Sequence, residues 1–179
     1  MQVELKVNDK SVQAEIPEEQ LKKLGLIEDK SKTGYEGREE CNNKKHYFVN
    51  TIDLVIEDEN TALFDQNRYD VGNYYSDKVI AENNARADRL QRCLRQWQAL
   101  NDKPISQSDW EDNGKNKWCI LYSYGAEKLY VDYFHYIRLH NVIYFTTKEK
   151  AEEAIEVFKD ELLWYFTEYV QRLDEAQNG

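Results

Sequence analysis

Several groups of polar residues have types and spacings that fit known chemistry, and the run from Asp109 to Gly114 is the first. It places acids or amides at positions 1, 3 and 5 and glycine at position 6, as calcium-binding loops do. Such a loop needs a bidentate glutamate at position 12, which here is Ile120 inside a predicted strand. We therefore interpret the run as a solvated polar loop.

Two further groups contain residue types that ligate metals. His135 and His140 are five residues apart and Cys119 lies on a neighbouring predicted strand, but a structural zinc site needs four ligands, usually with a closely spaced pair among them. Three acids fall between positions 53 and 58, whereas a two-metal nuclease needs several acids that converge in space. The sequence therefore predicts no metal and no cofactor, and it assigns no catalytic residue.

His46 is the residue best placed for metal-free acid–base chemistry. It stands beside Lys44, Lys45 and Tyr47. This grouping suits proton transfer on RNA, in which a base removes the 2′ proton and an acid protonates the leaving oxygen. A histidine among lysines is more commonly a solvated surface residue, and that is the interpretation we favour.

The strongest electrostatic feature is an arginine ladder, defined as Arg86, Arg89, Arg92 and Arg95. Because an α-helix has 3.6 residues per turn, a spacing of three rotates each arginine by about 60° from the last, so the ladder wraps around more than half of the helix. We expect about half of these side chains to pair with the protein's own acids. The ladder is a candidate binding surface for RNA phosphate or for an acidic partner.

An N-terminal hairpin presents the second candidate surface. Apolar and polar residues alternate over 2–7 and 12–16, the run from Asn8 to Ser11 predicts the turn, and a short helix should end near Leu24. Such a ribbon can enter a nucleic-acid groove or add to a partner's sheet edge, or its apolar face can simply cover the core. The candidate contacts to RNA or a partner are Lys6, Asn8, Asp9 and Lys10.

Hydrophobic periodicity gives the remaining elements. The strongest helix prediction covers 76–101, where apolar residues recur at intervals of three, four or seven. Two strands within 118–136 and a third at 142–145 should form an antiparallel sheet. Thr146 and Glu149 have the spacing of a capping box at the start of the last helix.

These elements predict an α+β fold with an N-terminal β-hairpin unit, a long central helix, and a C-terminal antiparallel sheet covered by a C-terminal helix. A second hairpin is expected over 46–49 and 52–56, in a segment rich in acids, and a polar loop over 105–116. The predicted divisions are 1–27, 28–116 and 117–179.

Composition narrows the classes of function. The 24 lysines and arginines are outnumbered by 34 aspartates and glutamates, and the net charge of −10 opposes non-specific binding to a nucleic-acid backbone. The expected partner is therefore a basic protein surface, or the protein has no charged partner at all. Three cysteines without a C-x-x-C motif and the lack of an apolar run of about 20 residues predict a cytosolic protein that spans no membrane.

Two stretches resemble a module of small proteins from phages and mobile elements of Gram-positive bacteria. One runs from Ile143 to Phe158 and on through Phe166, and the other from Gly72 to Asp77 and into the following helix. With an N-terminal hairpin, this module resembles anti-CRISPR proteins of type II systems, which inhibit an RNA-guided DNA endonuclease. The resemblance implies that the partners are a type II CRISPR effector nuclease and its guide RNA, in the cytoplasm of a bacterial host.

The resemblance implies two activities: blocking assembly of the nuclease with its guide, or truncating the guide RNA in a nuclease-dependent way. We expect truncation through the N-terminal hairpin, which would make the protein a ribonuclease that depends on its target. The alternatives are a non-catalytic acidic inhibitor that blocks guide or DNA loading, and a phage accessory protein.

Overall fold

The fold is α+β, as the sequence predicts, with small antiparallel sheets, a long central helix and a C-terminal helix. The chain divides into two compact units, an N-terminal unit Met1–Lys32 and a C-terminal unit Thr33–Gly179. The computed structural model describes residues 2–7, 10–24, 32–37, 45–59 and 62–175.

The N-terminal unit is a hairpin followed by a short helix. Strands β1 (Gln2–Val7) and β2 (Lys10–Glu15) are antiparallel, and α1 (Glu18–Lys23) follows them. The predicted turn, Asn8 to Ser11, is two residues too long, because Lys10 and Ser11 already belong to β2 and pair with Val7 and Lys6. The predicted turn residues Asn8 and Asp9 lie outside the described residues.

The C-terminal unit begins with a second hairpin and continues through helices and a third hairpin. Its elements are β3 (Lys45–Val49), β4 (Val55–Glu59), α2 (Ala62–Asp70), α3 (Lys78–Asn101), α4 (Gln107–Glu111), β5 (Lys117–Ser123), β6 (Lys128–Phe134) and α5 (Lys148–Thr167).

Helix α3 is the long helix that the sequence predicts, and a side-chain cap fixes its start. The Asp77 carboxylate accepts hydrogen bonds from the backbone N–H groups of Val79 and Ile80 at 2.8 and 3.0 Å. These are two of the donors that a helix leaves unpaired in its first turn. The helix therefore begins at Lys78, two residues after the predicted start.

Two predictions for the C-terminal sheet and helix are wrong in detail. The expected third strand is reduced to one antiparallel bridge between Phe145 and Trp118. The cap of α5 is Thr147, whose hydroxyl accepts from the Lys150 N–H, whereas the side chain and N–H of Thr146 both donate to the Asp102 carboxylate. Asp102 caps α3 at its other end, so it ties the end of α3 to the start of α5.

The larger core lies where α3, α5 and the β5–β6 sheet meet. Small residues on α5 let the helix approach its neighbours closely, and Phe145 fills the space between them with no exposed surface. The buried members of this core are Leu90, Leu94, Phe145, Ala151, Ala154 and Leu162. A second, smaller core around Tyr75, Ile80 and Ala81 joins the start of α3 to β3 and β4.

Glu36 links the loop at 33–37 to the start of α3, and it should make stability depend on acid pH. Its carboxylate accepts hydrogen bonds from the Ser76 hydroxyl at 2.5 Å, the Thr33 hydroxyl at 2.9 Å and the Gly34 N–H at 3.2 Å. Burial raises the pKa of Glu36, but these hydrogen bonds outweigh it and lower the pKa from 4.5 to about 2.

A carboxyl whose pKa is lower in the folded state stabilises the fold above its unfolded pKa. We therefore expect Glu36 to contribute its full stabilisation above pH 4.5 and to lose it as the pH falls from 4.5 towards about 2. Urea unfolding across this range checks the expectation. Glu36→Gln should flatten the pH dependence of stability there, and an unchanged acid limb in this variant would contradict it.

Candidate functional site

Among the described residues, two of the four ladder arginines bond to the protein's own acids, in agreement with the expected half. Arg86 on α3 donates to both oxygens of Glu161 on α5, at 2.9 and 3.0 Å, and its guanidinium carbon lies 3.9 Å from the centre of the Trp164 ring. The ion pair raises the pKa of Arg86 and lowers that of Glu161. Arg86 therefore connects two helices, which is a structural role.

The rest of the ladder divides between one pair and two exposed cations. Arg92 donates to Asp53 at 2.6 Å and so joins α3 to the turn of the second hairpin. Arg89 and Arg95 are exposed, and within the described ranges neither forms an ion pair. They are the ladder residues that a phosphate or an acidic partner could reach, and that role stays a prediction.

The structure places the two hairpin lysines at different positions in the ribbon. Lys6 pairs with Ser11 and Lys10 pairs with Val7, so the two lysines belong to adjacent residue pairs of the β1–β2 hairpin. Because residues that face each other across a strand pair share one face and adjacent pairs alternate, these two positions belong to opposite faces. A binding role for Lys6, Lys10, Asn8 and Asp9 stays a prediction.

The polar loop predicted over 105–116 contains a short capped helix, α4, in which the run from Asp109 to Gly114 begins. Asp109 lies in α4, and its carboxylate accepts a hydrogen bond from the Ser106 N–H at 2.8 Å. In return, the Ser106 hydroxyl accepts a hydrogen bond from the Asp109 N–H. The other carboxylate oxygen of Asp109 accepts from Lys115. These hydrogen bonds and the lysine lower the pKa of Asp109, and they occupy oxygens that a calcium site would need.

A second cation in this region, Lys117, is buried at the start of β5. Its ammonium donates to the backbone carbonyls of Asp112 and His135 and lies 5.7 Å from the centre of the Trp110 ring. No pattern in the sequence predicts a buried lysine here. Its contacts hold the loop before β5 against the loop after β6.

His46 differs most from its sequence-based interpretation, because it is fully buried in β3 while its neighbour Lys45 is exposed. The ring stacks on Tyr74 with centroids 4.5 Å apart and an interplanar angle of 11°. Arg68 Nη1 on α2 lies 3.1 Å from Nε2. The solvated interpretation is therefore wrong, and a buried ring cannot transfer a proton to RNA.

His46 belongs to a group of charged side chains that we name the His46 cluster: His46, Asp58, Asp65 and Arg68. Arg68 Nη1 donates to Asp58 Oδ2 at 2.7 Å, and its guanidinium carbon lies 3.6 Å from the centre of the Phe48 ring. Asp65 is 3% exposed, with Oδ1 3.2 Å from His46 Nε2 and 3.6 Å from Arg68 Nη1. In the described part of the chain, neither Asp65 oxygen accepts a hydrogen bond.

The structure does not assemble the histidines and cysteine considered for zinc. His135 contacts the carbonyl of Asn113 through its ring, His140 is exposed, and the buried Cys119 has a pKa raised by its burial to about 11. Among the residues that the structure describes, the group of three metal-ligating side chains is His46, Asp58 and Asp65.

An acidic groove of about 760 Å³ runs between β6 and α5, and we name it the α5–β6 groove. Four consecutive residues, Lys128 to Val131, line it, so both faces of β6 contribute and the groove follows the edge of the strand. In the described residues β6 pairs only with β5, which leaves this edge open. The α5 side consists of Lys148, Glu149, Glu152, Glu153, Ile155 and Glu156.

The glutamates of the groove are only partly neutralised by neighbouring lysines. Glu152 pairs with Lys148 at 3.1 Å and Glu153 with Lys150 at 2.6 Å. Glu149 and Glu156 form no ion pair within the described ranges. All four glutamates are exposed, so the groove keeps an excess of negative charge that a cationic partner can reach.

The chain matches no protein-family model, no curated protein and no solved structure. Across the described residues, no helix combines the length and the apolar character that crossing a bilayer requires.

Proposed function

We propose that this protein is a non-catalytic inhibitor that binds a basic protein surface through the α5–β6 groove. The target proposed from the sequence resemblance is the type II CRISPR effector nuclease, in the bacterial cytosol. The observation that carries the binding role is the row of exposed glutamates on α5 beside the open edge of β6. Nucleases that hold nucleic acid need basic channels, and an acidic protein can occupy such a channel in its place.

The net charge of −10 supports the same proposal, because it favours approach to a basic surface over approach to RNA alone. The burial of His46 removes the side chain that the sequence offered for acid–base chemistry on RNA. The described residues therefore offer a surface for binding but no side chain for the acid–base chemistry that the sequence suggested.

The test measures inhibition and affinity for the nuclease with and without its guide. Neutralising the groove by Glu149→Gln, Glu152→Gln, Glu153→Gln and Glu156→Gln should weaken binding at least tenfold and restore DNA cleavage. The matched control removes the same charge outside the groove, by Glu111→Gln, Glu127→Gln, Asp160→Asn and Glu168→Gln. Equal effects of the two quadruple variants would contradict a role for the groove.

A second candidate, truncation of the guide RNA through the hairpin, is favoured by one observation. Residues 1–32 form a compact unit of their own, as an element that acts separately would. A denaturing gel of the guide RNA from the same reaction tests this candidate. The candidate is supported if the guide RNA shortens only when all components are present and stays intact with the double variant Lys6→Ala and Lys10→Ala. Intact guide RNA together with lost DNA cleavage supports the binding inhibitor.

A further inference from the structure

The His46 cluster brings three electron-pair donors to one place in the C-terminal unit. One ligand atom from each of His46, Asp58 and Asp65 lies within 4.8 Å of the others. These residues come from β3, β4 and α2, so three elements converge there. His46 and Asp65 are buried, and Asp58 is half-buried.

Arg68, the cation next to these three side chains, does not form a hydrogen bond with each of them. Arg68 Nη1 is within hydrogen-bonding distance of Asp58 Oδ2, at 2.7 Å, and of His46 Nε2, at 3.1 Å. Asp65 Oδ1 lies 3.6 Å away, beyond that distance. Arg68 Nη1 carries two N–H groups, so it can donate hydrogen bonds to Asp58 and His46 but not to Asp65.

The remaining pair of atoms is also poorly matched. His46 Nε2 lies 3.2 Å from Asp65 Oδ1 and 3.1 Å from Arg68 Nη1. If Nε2 accepts from Arg68, its lone pair faces a carboxylate oxygen; if it carries a proton towards Asp65, it cannot accept from Arg68. One ring nitrogen cannot satisfy both neighbours.

Asp65 bears the cost of this mismatch. It is 3% exposed, and neither of its oxygens accepts a hydrogen bond in the described part of the chain. A buried carboxylate that accepts no hydrogen bond is disfavoured even with the Arg68 cation 3.6 Å away, because the attraction only partly offsets the lost hydration. A divalent ion among the three donors would remove the penalty, because it accepts an electron pair from each.

We propose that the His46 cluster is a binding site for a divalent transition metal of the Zn²⁺ class, with His46, Asp58 and Asp65 as ligands. Imidazole with carboxylates suits Zn²⁺, Co²⁺ or Ni²⁺, whereas Ca²⁺ and Mg²⁺ prefer oxygen ligands alone. Tetrahedral Zn²⁺ holds its ligand atoms about 3.4 Å apart, a spacing close to the 3.2 Å between His46 Nε2 and Asp65 Oδ1.

Arg68 is the competitor of this metal. Its guanidinium occupies the position between the ligands and must move away when the ion binds, since two cations cannot share the site. Metal and arginine are thus alternative cations for one set of ligands. Binding would clamp β3, β4 and α2 together, and it does not depend on the function proposed for the groove.

The test uses the full chain, stripped of metal with EDTA, and titrates ZnCl₂ by calorimetry while following the melting temperature. We expect one Zn²⁺ per chain and a higher Tm with Zn²⁺ than with EDTA. Co²⁺ in place of Zn²⁺ should give the intense visible absorption of a tetrahedral site. His140→Ala, which removes an exposed histidine outside the cluster, should leave the affinity unchanged.

Two variants act in opposite directions and separate this site from a structural ion network. Arg68→Met removes the competitor and keeps the side-chain stem, so it should bind Zn²⁺ at least tenfold more tightly. Asp65→Asn removes a ligand and should bind at least tenfold more weakly. The proposal is overturned if neither the natural chain nor Arg68→Met binds Zn²⁺, or if all three proteins bind it equally. If Asp65→Asn does not fold, the comparison of Arg68→Met with the natural chain decides.

Discussion

Replacing Phe145 with alanine should lower the free energy of unfolding by about 3–5 kcal/mol, the usual cost of removing a buried phenylalanine side chain. The ring has no exposed surface and lies in the larger core, with the Trp97 ring edge-on to it at 6.0 Å. The backbone bridge to Trp118 does not need the side chain, so the loss should come from the cavity alone. Urea unfolding followed by tryptophan fluorescence measures it.

The control deletes the same ring where it is not packed. Phe64 is 62% exposed on α2, and Phe64→Ala should change stability by about 0.5 kcal/mol or less. If the two variants unfold at the same urea concentration, Phe145 does not fill a core.

Elements with strong hydrophobic periodicity were predictable from the sequence, and α2 shows where that signal fails. Helices α3 and α5 bury Leu90, Leu94, Ala154 and Leu162 at helical spacing. In α2, the buried side chain among those described is Asp65, an acid. A helix that faces the interior with a charged residue has no apolar stripe, so the sequence predicted only an acidic segment there.

The His46 cluster could not be predicted for the same reason. Lys45 and His46 are neighbours, but successive residues of a strand point to opposite faces, so one is exposed and the other buried. Two other members of the cluster, Asp65 and Arg68, follow about 20 residues later, on the helix that was missed. The spacing of Asp65 and Arg68, three residues apart, was the available signal, since it places both on one side of a helix.

The wrong capping prediction at α5 shows that a local pattern does not decide between two adjacent capping residues. Thr146 and Thr147 are equally good capping residues, and Glu149 completes a capping box only with Thr146. Asp102 decides between them, because it accepts from both the N–H and the hydroxyl of Thr146. A residue 44 positions away thus sets where the helix begins, and no local pattern contains that information.

The second large effect is expected from Gly34→Ala, which should lower the free energy of unfolding by about 2–5 kcal/mol. Gly34 has φ +92°, where any residue with a Cβ is strained by about 1–2 kcal/mol. A Cβ at this position would lie 2.7 Å from Cγ1 of Ile80, which is 1% exposed in the smaller core and cannot move freely. Overpacking of this kind adds about 1–3 kcal/mol.

Gly72→Ala is the matched control, because it separates backbone strain from the clash. Gly72 has φ +73°, and a Cβ there would meet no atom within 4 Å. It should therefore cost only the strain of about 1–2 kcal/mol, and the difference between the two variants measures the contact with Ile80. Gly34→Ala combined with Ile80→Ala should cost less than the sum of the two single variants, because alanine lacks Cγ1 and Cγ2, two of the three Ile80 atoms nearest to the new methyl group. Equal losses for Gly34→Ala and Gly72→Ala would mean that the loop at Gly34 does not pack against Ile80 as described.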